Sequence, residues 1–175
     1  MSWRAIAAPG HDMGALVFYC EQARILISGD ALWENGFGVV LPGQPEALSA
    51  ARMTFNQIGT LDIGVVIPGH GRPFTDVGAA LDRSHKRIDA FEADPIRMAR
   101  HALKVMLMFT LLERSGLALS KLPAYMDSVA VYREFNRSYL GLTPAALAAL
   151  LVGELERAGA AARDGEFLIP VIRDM

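Results

Sequence analysis

Residues 14–30, GALVFYCEQARILISGD, decide the fold. Two runs rich in β-branched, aromatic and aliphatic residues, Gly14 to Cys20 and Arg24 to Ser28, flank Glu21-Gln22-Ala23. That pattern predicts two strands of an antiparallel hairpin. The second strand runs into Ser28-Gly29-Asp30, which puts a carboxylate at its C-terminal edge. Upstream, Trp3 to Ala7 is expected as a short strand, and Pro9-Gly10 forces a turn because proline lacks an N–H and glycine permits positive φ. His11 stands in that turn. Downstream, Gly29 to Gly43 holds four glycines and one proline and reads as a loop. From Pro45 to Ile58, Ala47, Ala50, Ala51, Phe55 and Ile58 recur at helical spacing. Ile63 to Ile67 (IGVVI) predicts a short buried strand closed by Pro68-Gly69, with His70 directly after it. Asp76 is placed to cap a helix running to about Ala93.

The character of the chain changes near Asp94-Pro95. This acid followed by proline is a strong helix start. The helix it opens should reach Arg114 and stop at Gly116. Its second half is apolar almost all round, which suggests burial between layers or at a subunit contact. Thr143-Pro144 opens another helix, ended by Gly159, and AAARDGEFLIP reads as a hairpin around Asp164-Gly165. The expected organisation is therefore α/β (α+β), with a first domain over 1–93 and a helical region over 94–175.

Three polar residues stand where a core would not want them. His11, Asp30 and His70 each follow an apolar strand or a Pro-Gly turn. Strand ends of this kind are where α/β ligand sites gather. Two imidazoles and one carboxylate suit a divalent metal, zinc above all. Taken singly, each has a plainer reading as a turn residue or a helix cap. His85, in Asp82-Arg83-Ser84-His85-Lys86-Arg87, reads as a solvated helix position, and His101 as a packing or surface residue. Cys20, the single cysteine, reads as a small core residue.

The ordered segments APGHDMGALVFYCEQARILISGDALW and VVIPGHG resemble the metallo-β-lactamase superfamily, on the side that includes glyoxalase II. The resemblance covers residues 8 to 75. It implies the C-terminal half of an αββα sandwich. His11 would bind a first metal, Asp30 would bridge two metals, and His70 would bind the second. The implied cofactor is one or two zinc ions, with iron or manganese as other candidates. Asp30 would also position a metal-activated water that attacks an ester, thioester or lactam. Trp33, Glu34, Asn35 and Phe37 would line the side of a small-molecule substrate, with Arg72 and Phe74 bordering it. The family's leading His-x-His-x-Asp-His motif is absent, and the chain contains no His-x-His. The expectation is thus a truncated chain that lacks four metal ligands and is inactive alone. Residues 94–175 resemble the helical, winged-helix-like region of some members, with the Asp164-Gly165 hairpin as the wing. The alternative is a non-catalytic binding or scaffolding module with relic metal residues.

Composition narrows the partners. In 175 residues, 52% are hydrophobic and 21% charged, which excludes general disorder. A chain of this size should bury roughly 70% of its unfolded surface. The net charge is −2, with seven basic and ten acidic residues before position 94 and ten and nine after it. This lacks the cationic surplus of an electrostatic nucleic-acid binder. Near the candidate recognition segment of the winged-helix-like region, only Arg133 and Arg137 form a noticeable basic pair. The longest dense apolar run, Val105 to Leu112, falls short of the about 20 residues a membrane span needs. A cytoplasmic setting is expected. The strands GALVFYC, RILIS and IGVVI have no partner layer within the chain, so a homodimer covering those sheet faces is expected.

Overall fold

The computed structural model describes residues 1–171. These form two compact units, Met1–Asp94 and a second that begins at Pro95.

The first unit is built on a four-stranded sheet: β1 (Arg4–Ala7), β2 (Leu16–Cys20), β3 (Ile25–Gly29) and β4 (Val65–Pro68), adjacent in that order. β1, β2 and β3 are antiparallel neighbours, with Arg4 opposite Tyr19 and Phe18 opposite Ile27. The β2–β3 turn closes with Arg24 at φ 56°, its N–H bonded to the Glu21 carbonyl at 3.1 Å. β4 runs parallel to β3, with Ile27 beside Ile67. Parallel neighbours need a crossover, and helix α1 (Pro45–Ile58) supplies it. α1 packs on α2 (Val77–Ala93), whose N-cap Asp76 accepts a hydrogen bond from the Ala79 N–H at 3.0 Å.

Side chains alternate along these strands. Ile6, Val17, Tyr19, Leu26 and Val66 are buried and share the core with Phe55, Ile58 and Ile88 of the helices. Cys20 is fully buried. The opposite face carries the row Ala5, Phe18, Ile27 and Ile67, one residue from each strand, with Leu16 beside it. Leu16 is 52% exposed, Phe18 42%, Ile27 38% and Ile67 39%. The IGVVI segment, expected to be buried throughout, is therefore buried on one face only. Ile63 and Gly64 precede the strand, and Ile67 points outward.

In the second unit, α3 (Pro95–Arg114), α4 (Leu122–Ser128), α5 (Ala130–Phe135) and α6 (Pro144–Arg157) surround a core that includes Leu103, Leu107, Leu111, Met126, Tyr132 and Leu151. A π-helical turn over 136–140 follows α5, and the Asn136 side chain closes it by bonding both the N–H and the carbonyl of Leu142. Thr143 caps α6 through the Ala146 N–H. Gly159, at φ 62°, ends it, with the Ala160 N–H on the Leu155 carbonyl and the Gly159 N–H on the Glu156 carbonyl. β5 (Leu117–Ala118), β7 (Phe167–Pro170) and β6 (Ala161–Asp164) make an antiparallel sheet in that spatial order. Gly165 and Glu166 form the hairpin loop, and Asp164 is the last residue of β6. Phe109 and Leu112 on α3 remain exposed. Among the described residues no single helix is long and apolar enough to cross a membrane.

Candidate metal centre

Strand direction assembles the site. β1 and β3 run the same way, and β4 is parallel to β3. The loop after β1, the residue after β3 and the loop after β4 therefore emerge at one edge of the sheet. These carry His11, Asp30 and His70.

Asp30 is the hub. Its Oδ1 lies 2.9 Å from His70 Nδ1 and accepts from the Trp33 indole N–H at 3.2 Å. Its Oδ2 lies 3.9 Å from His11 Nε2. The Asp30 carbonyl accepts from the Gly38 N–H at 2.7 Å. The Trp33 and His70 rings meet edge-on with centroids 5.0 Å apart. The His11 and Asp30 side chains are about one-third exposed and His70 more than half.

The tautomers follow from the partners. His11 Nδ1 lies 2.7 Å from the Val39 carbonyl, an acceptor only, so Nδ1 donates and, in the neutral ring, Nε2 carries the lone pair. His70 Nδ1 faces a carboxylate and donates likewise, so that in the neutral ring Nε2 is the acceptor nitrogen. A histidine whose second nitrogen is held by a carbonyl or carboxylate has the arrangement that metal-binding imidazoles show.

Glycines allow the close approaches. A Cβ at residue 69 would stand 2.7 Å from Asp30 Oδ1, and one at residue 38 would stand 2.5 Å from the His11 ring. Gly10, at φ 154°, lies against α1, where the Thr54 hydroxyl donates to the Pro9 carbonyl at 2.8 Å. A shallow recess beside His11 and Asp30 is closed by Phe37, Ala51, Thr54 and Phe55.

The other candidate residues divide. Trp33 is in the cluster. Glu34 and Asn35 are exposed, and their backbone carbonyls are taken by Arg83 and Arg87 of α2. Phe37 is buried, its ring 5.2 Å from that of Phe55. Arg72 is exposed, and Phe74 is buried and bridges to Val66. His85, expected in solvent, is instead half-buried with its ring edge-on to Phe55 at 5.6 Å. Arg83 and Arg87 were not singled out from sequence. Their partners are backbone atoms, which leave no residue-type signature.

Two imidazoles and a carboxylate are donors of the kind a zinc-type ion takes. They do not make a complete set. Among the described residues no three His, Cys, Asp or Glu side chains form a group able to hold a metal ion. These residues alone therefore do not fit the metal that the family resemblance implies.

The model of the metallo-beta-lactamase superfamily matches residues 1–70. The probable metallo-hydrolase YqjP of Bacillus subtilis is 27% identical over 88 residues, covering 46% of this chain and 28% of its own. A metallo-beta-lactamase family protein of Thermus thermophilus aligns at 21% identity and TM-score 0.45, over 97% of this chain and 49% of its own. A beta-lactamase domain protein of Burkholderia ambifaria aligns at 19% identity and TM-score 0.48, over 97% and 48%. The chain thus spans less than a third of the curated relative and about half of each solved structure. The likeness to the metallo-beta-lactamase superfamily therefore lies in the first 70 residues of this chain.

Proposed function

We propose that this chain contributes part of the metal centre of a hydrolase acting on a small ester, thioester or lactam, and that it is inactive alone. His11, Asp30 and His70 are the donors it supplies, with zinc as the metal and iron or manganese as substitutes. Asp30 also orients the attacking water, and Trp33, Asn35, Phe37 and Arg72 belong to the substrate side. The convergence of the three donors at one sheet edge, with both Nε2 lone pairs left available, carries this reading. The remaining donors would come from outside these 175 residues. The test is metal content per chain by elemental analysis, on protein purified without chelators, for the wild type and Asp30→Ala. Because the donor set is incomplete, less than one metal per wild-type chain is expected, and less again in Asp30→Ala. Equal content in the two would remove Asp30 from the site, and none in either would count against the reading as a whole.

Two further parts of the proposal concern assembly. The outward row Ala5, Phe18, Ile27 and Ile67 is apolar in all four strands, and exposed apolar patches on this pattern mark interaction sites. A homodimer would cover it. Mass in solution should be twice the chain mass and should fall to one chain in Phe18→Glu/Ile27→Glu; a monomeric wild type overturns this. The second unit, with α6 followed by a β6–β7 hairpin and β5 added to it, supports a winged-helix-like assignment. Its near-neutral charge favours packing or subunit contact over nucleic acid. The rival binding-module reading predicts retention on DNA at low salt that falls steeply as salt rises.

A further inference from the structure

The segment that carries Trp33 is held from outside by two arginines one helical turn apart. Arg83 Nε and Nη2 both donate to the Glu34 carbonyl, at 2.8 and 2.6 Å. Arg87 Nη2 donates to the Asn35 carbonyl at 2.8 Å, and its guanidinium stands over the Phe37 ring, 5.9 Å from the centroid. Between these carbonyls the chain folds into a tight loop, with the Trp33 N–H on the Gly36 carbonyl at 2.7 Å. Gly36 has φ 148°, and any Cβ there would overlap the Arg87 guanidinium. The loop is therefore shaped around that side chain.

Both ends of this loop grip Asp30. Before it, the Trp33 indole donates to Asp30 Oδ1 and to the Gly29 carbonyl, each at 3.2 Å. After it, the Gly38 N–H donates to the Asp30 carbonyl at 2.7 Å. A shift of residues 34–37 would move both grips. The indole sets the carboxylate rotamer, and Gly38 sets the backbone that carries it. Arginine suits the task, because its planar fork places two N–H groups on one oxygen, which a lysine ammonium does less rigidly.

We propose that Arg83 and Arg87 are positioning residues for the site: by holding the Glu34 and Asn35 carbonyls they fix Trp33 and Gly38 on either side of Asp30, and so set the direction of its carboxylate. The importance of that direction rests on the reading of Asp30 as a metal-site residue. The clamp itself does not.

The chain has two tryptophans, Trp3 and Trp33. Trp3→Phe in the full chain leaves Trp33 as the sole emitter. In that background, Arg83→Met/Arg87→Met should shift Trp33 emission to the red and raise its quenching by acrylamide, with the far-UV circular dichroism melt unchanged. Arg87→Met alone should do the same in part, and Arg87→Lys, which keeps the charge and one donor, should return emission towards the parent. Unchanged emission in the double variant overturns the proposal. If the double variant does not fold, the single variants decide: equal shifts in Arg87→Met and Arg87→Lys, or no shift in either, overturn it. No metal and no hydrolysis enters the measurement, so its failure is distinguishable from failure of the proposed function.

Discussion

Gly10→Ala tests how tightly the His11 loop is fastened to the fold. A Cβ at residue 10 would lie 2.8 Å from the Ala51 Cβ and 2.9 Å from its Cα. Carbon atoms at their best separation stand about 3.5–4.0 Å apart, so the loop and α1 would have to part by nearly an ångström. Overpacking of this kind costs about 1–3 kcal/mol. The backbone at φ 154° adds strain of roughly 1–2 kcal/mol for a residue with a Cβ. The expected loss is about 2–5 kcal/mol, a large part of a stability of order 5–15 kcal/mol. Both tryptophans lie in the first unit, so urea unfolding followed by tryptophan fluorescence reads that unit. Ala51→Gly takes away the colliding methyl group but leaves the close approach to the residue 51 backbone and the φ strain. In the double-mutant cycle it should therefore return part of the loss, after its own helix-propensity cost of about 1 kcal/mol is subtracted. A Gly10→Ala variant within about 0.5 kcal/mol of wild type would refute the packing argument. A full loss with no coupling to Ala51 would assign the cost to backbone strain alone.

In the second unit, the Tyr132 hydroxyl is buried and has no hydrogen-bond partner among the described residues. Burial, with Tyr125 nearby, raises its pKa above the ordinary 10.0. The folded state then keeps a proton that the unfolded chain loses, so stability is whole below pH 10 and declines as pH rises above it. The slope is about 1.4 kcal/mol per pH unit for one group. Tyr132→Phe should be neutral or slightly stabilising at pH 7 and should lose that alkaline dependence in denaturation followed by circular dichroism; an unchanged pH profile refutes it. Glu154 is 9% exposed and pairs with Arg100 and, at 3.2 Å, with Lys104. Both cations reach water, so Glu154→Ala should cost about 1–3 kcal/mol, at or below the range for a fully buried pair; a change under about 0.5 kcal/mol in urea unfolding contradicts this. Arg52 pairs with Asp89 at 2.7 Å and Glu92 at 2.9 Å, and the Asp89 hydrogen bond leads the rise in its pKa. Arg52→Ala should cost less than about 1 kcal/mol, and less again in 1 M salt; a loss that salt leaves unchanged would show the pair is not a surface one.

The site was legible to the extent that local chemistry decided it. The β2–β3 hairpin follows from its two apolar runs. Helix ends follow from residues that serve one purpose there: Asp76 and Thr143 as caps, Gly159 in the left-handed residue that closes α6. His11, Asp30 and His70 could be grouped because each follows an apolar strand or a Pro-Gly turn and the family resemblance joins them; that their strands point the same way was not legible. What was hidden was long-range. Arg83 and Arg87 reach carbonyls 49 and 52 residues away, and carbonyls belong to every residue type. The charged neighbours of His85 concealed its packing against Phe55.

β4 was misread for a more instructive reason. In IGVVI every residue is apolar, so a strand buried on both faces and one buried on one face look the same. The structure gives the second case, with Val66 fully buried and Ile67 outward. A sheet that met water on that face would be expected to alternate apolar with polar residues. Leu16, Phe18, Ile27 and Ile67 break the alternation together, and they lie side by side rather than scattered. Scattered exposed apolar residues need no explanation, but a contiguous row crossing three adjacent strands does. The ambiguity of the sequence was itself information: it arose because the outward face of these strands is apolar like the buried one.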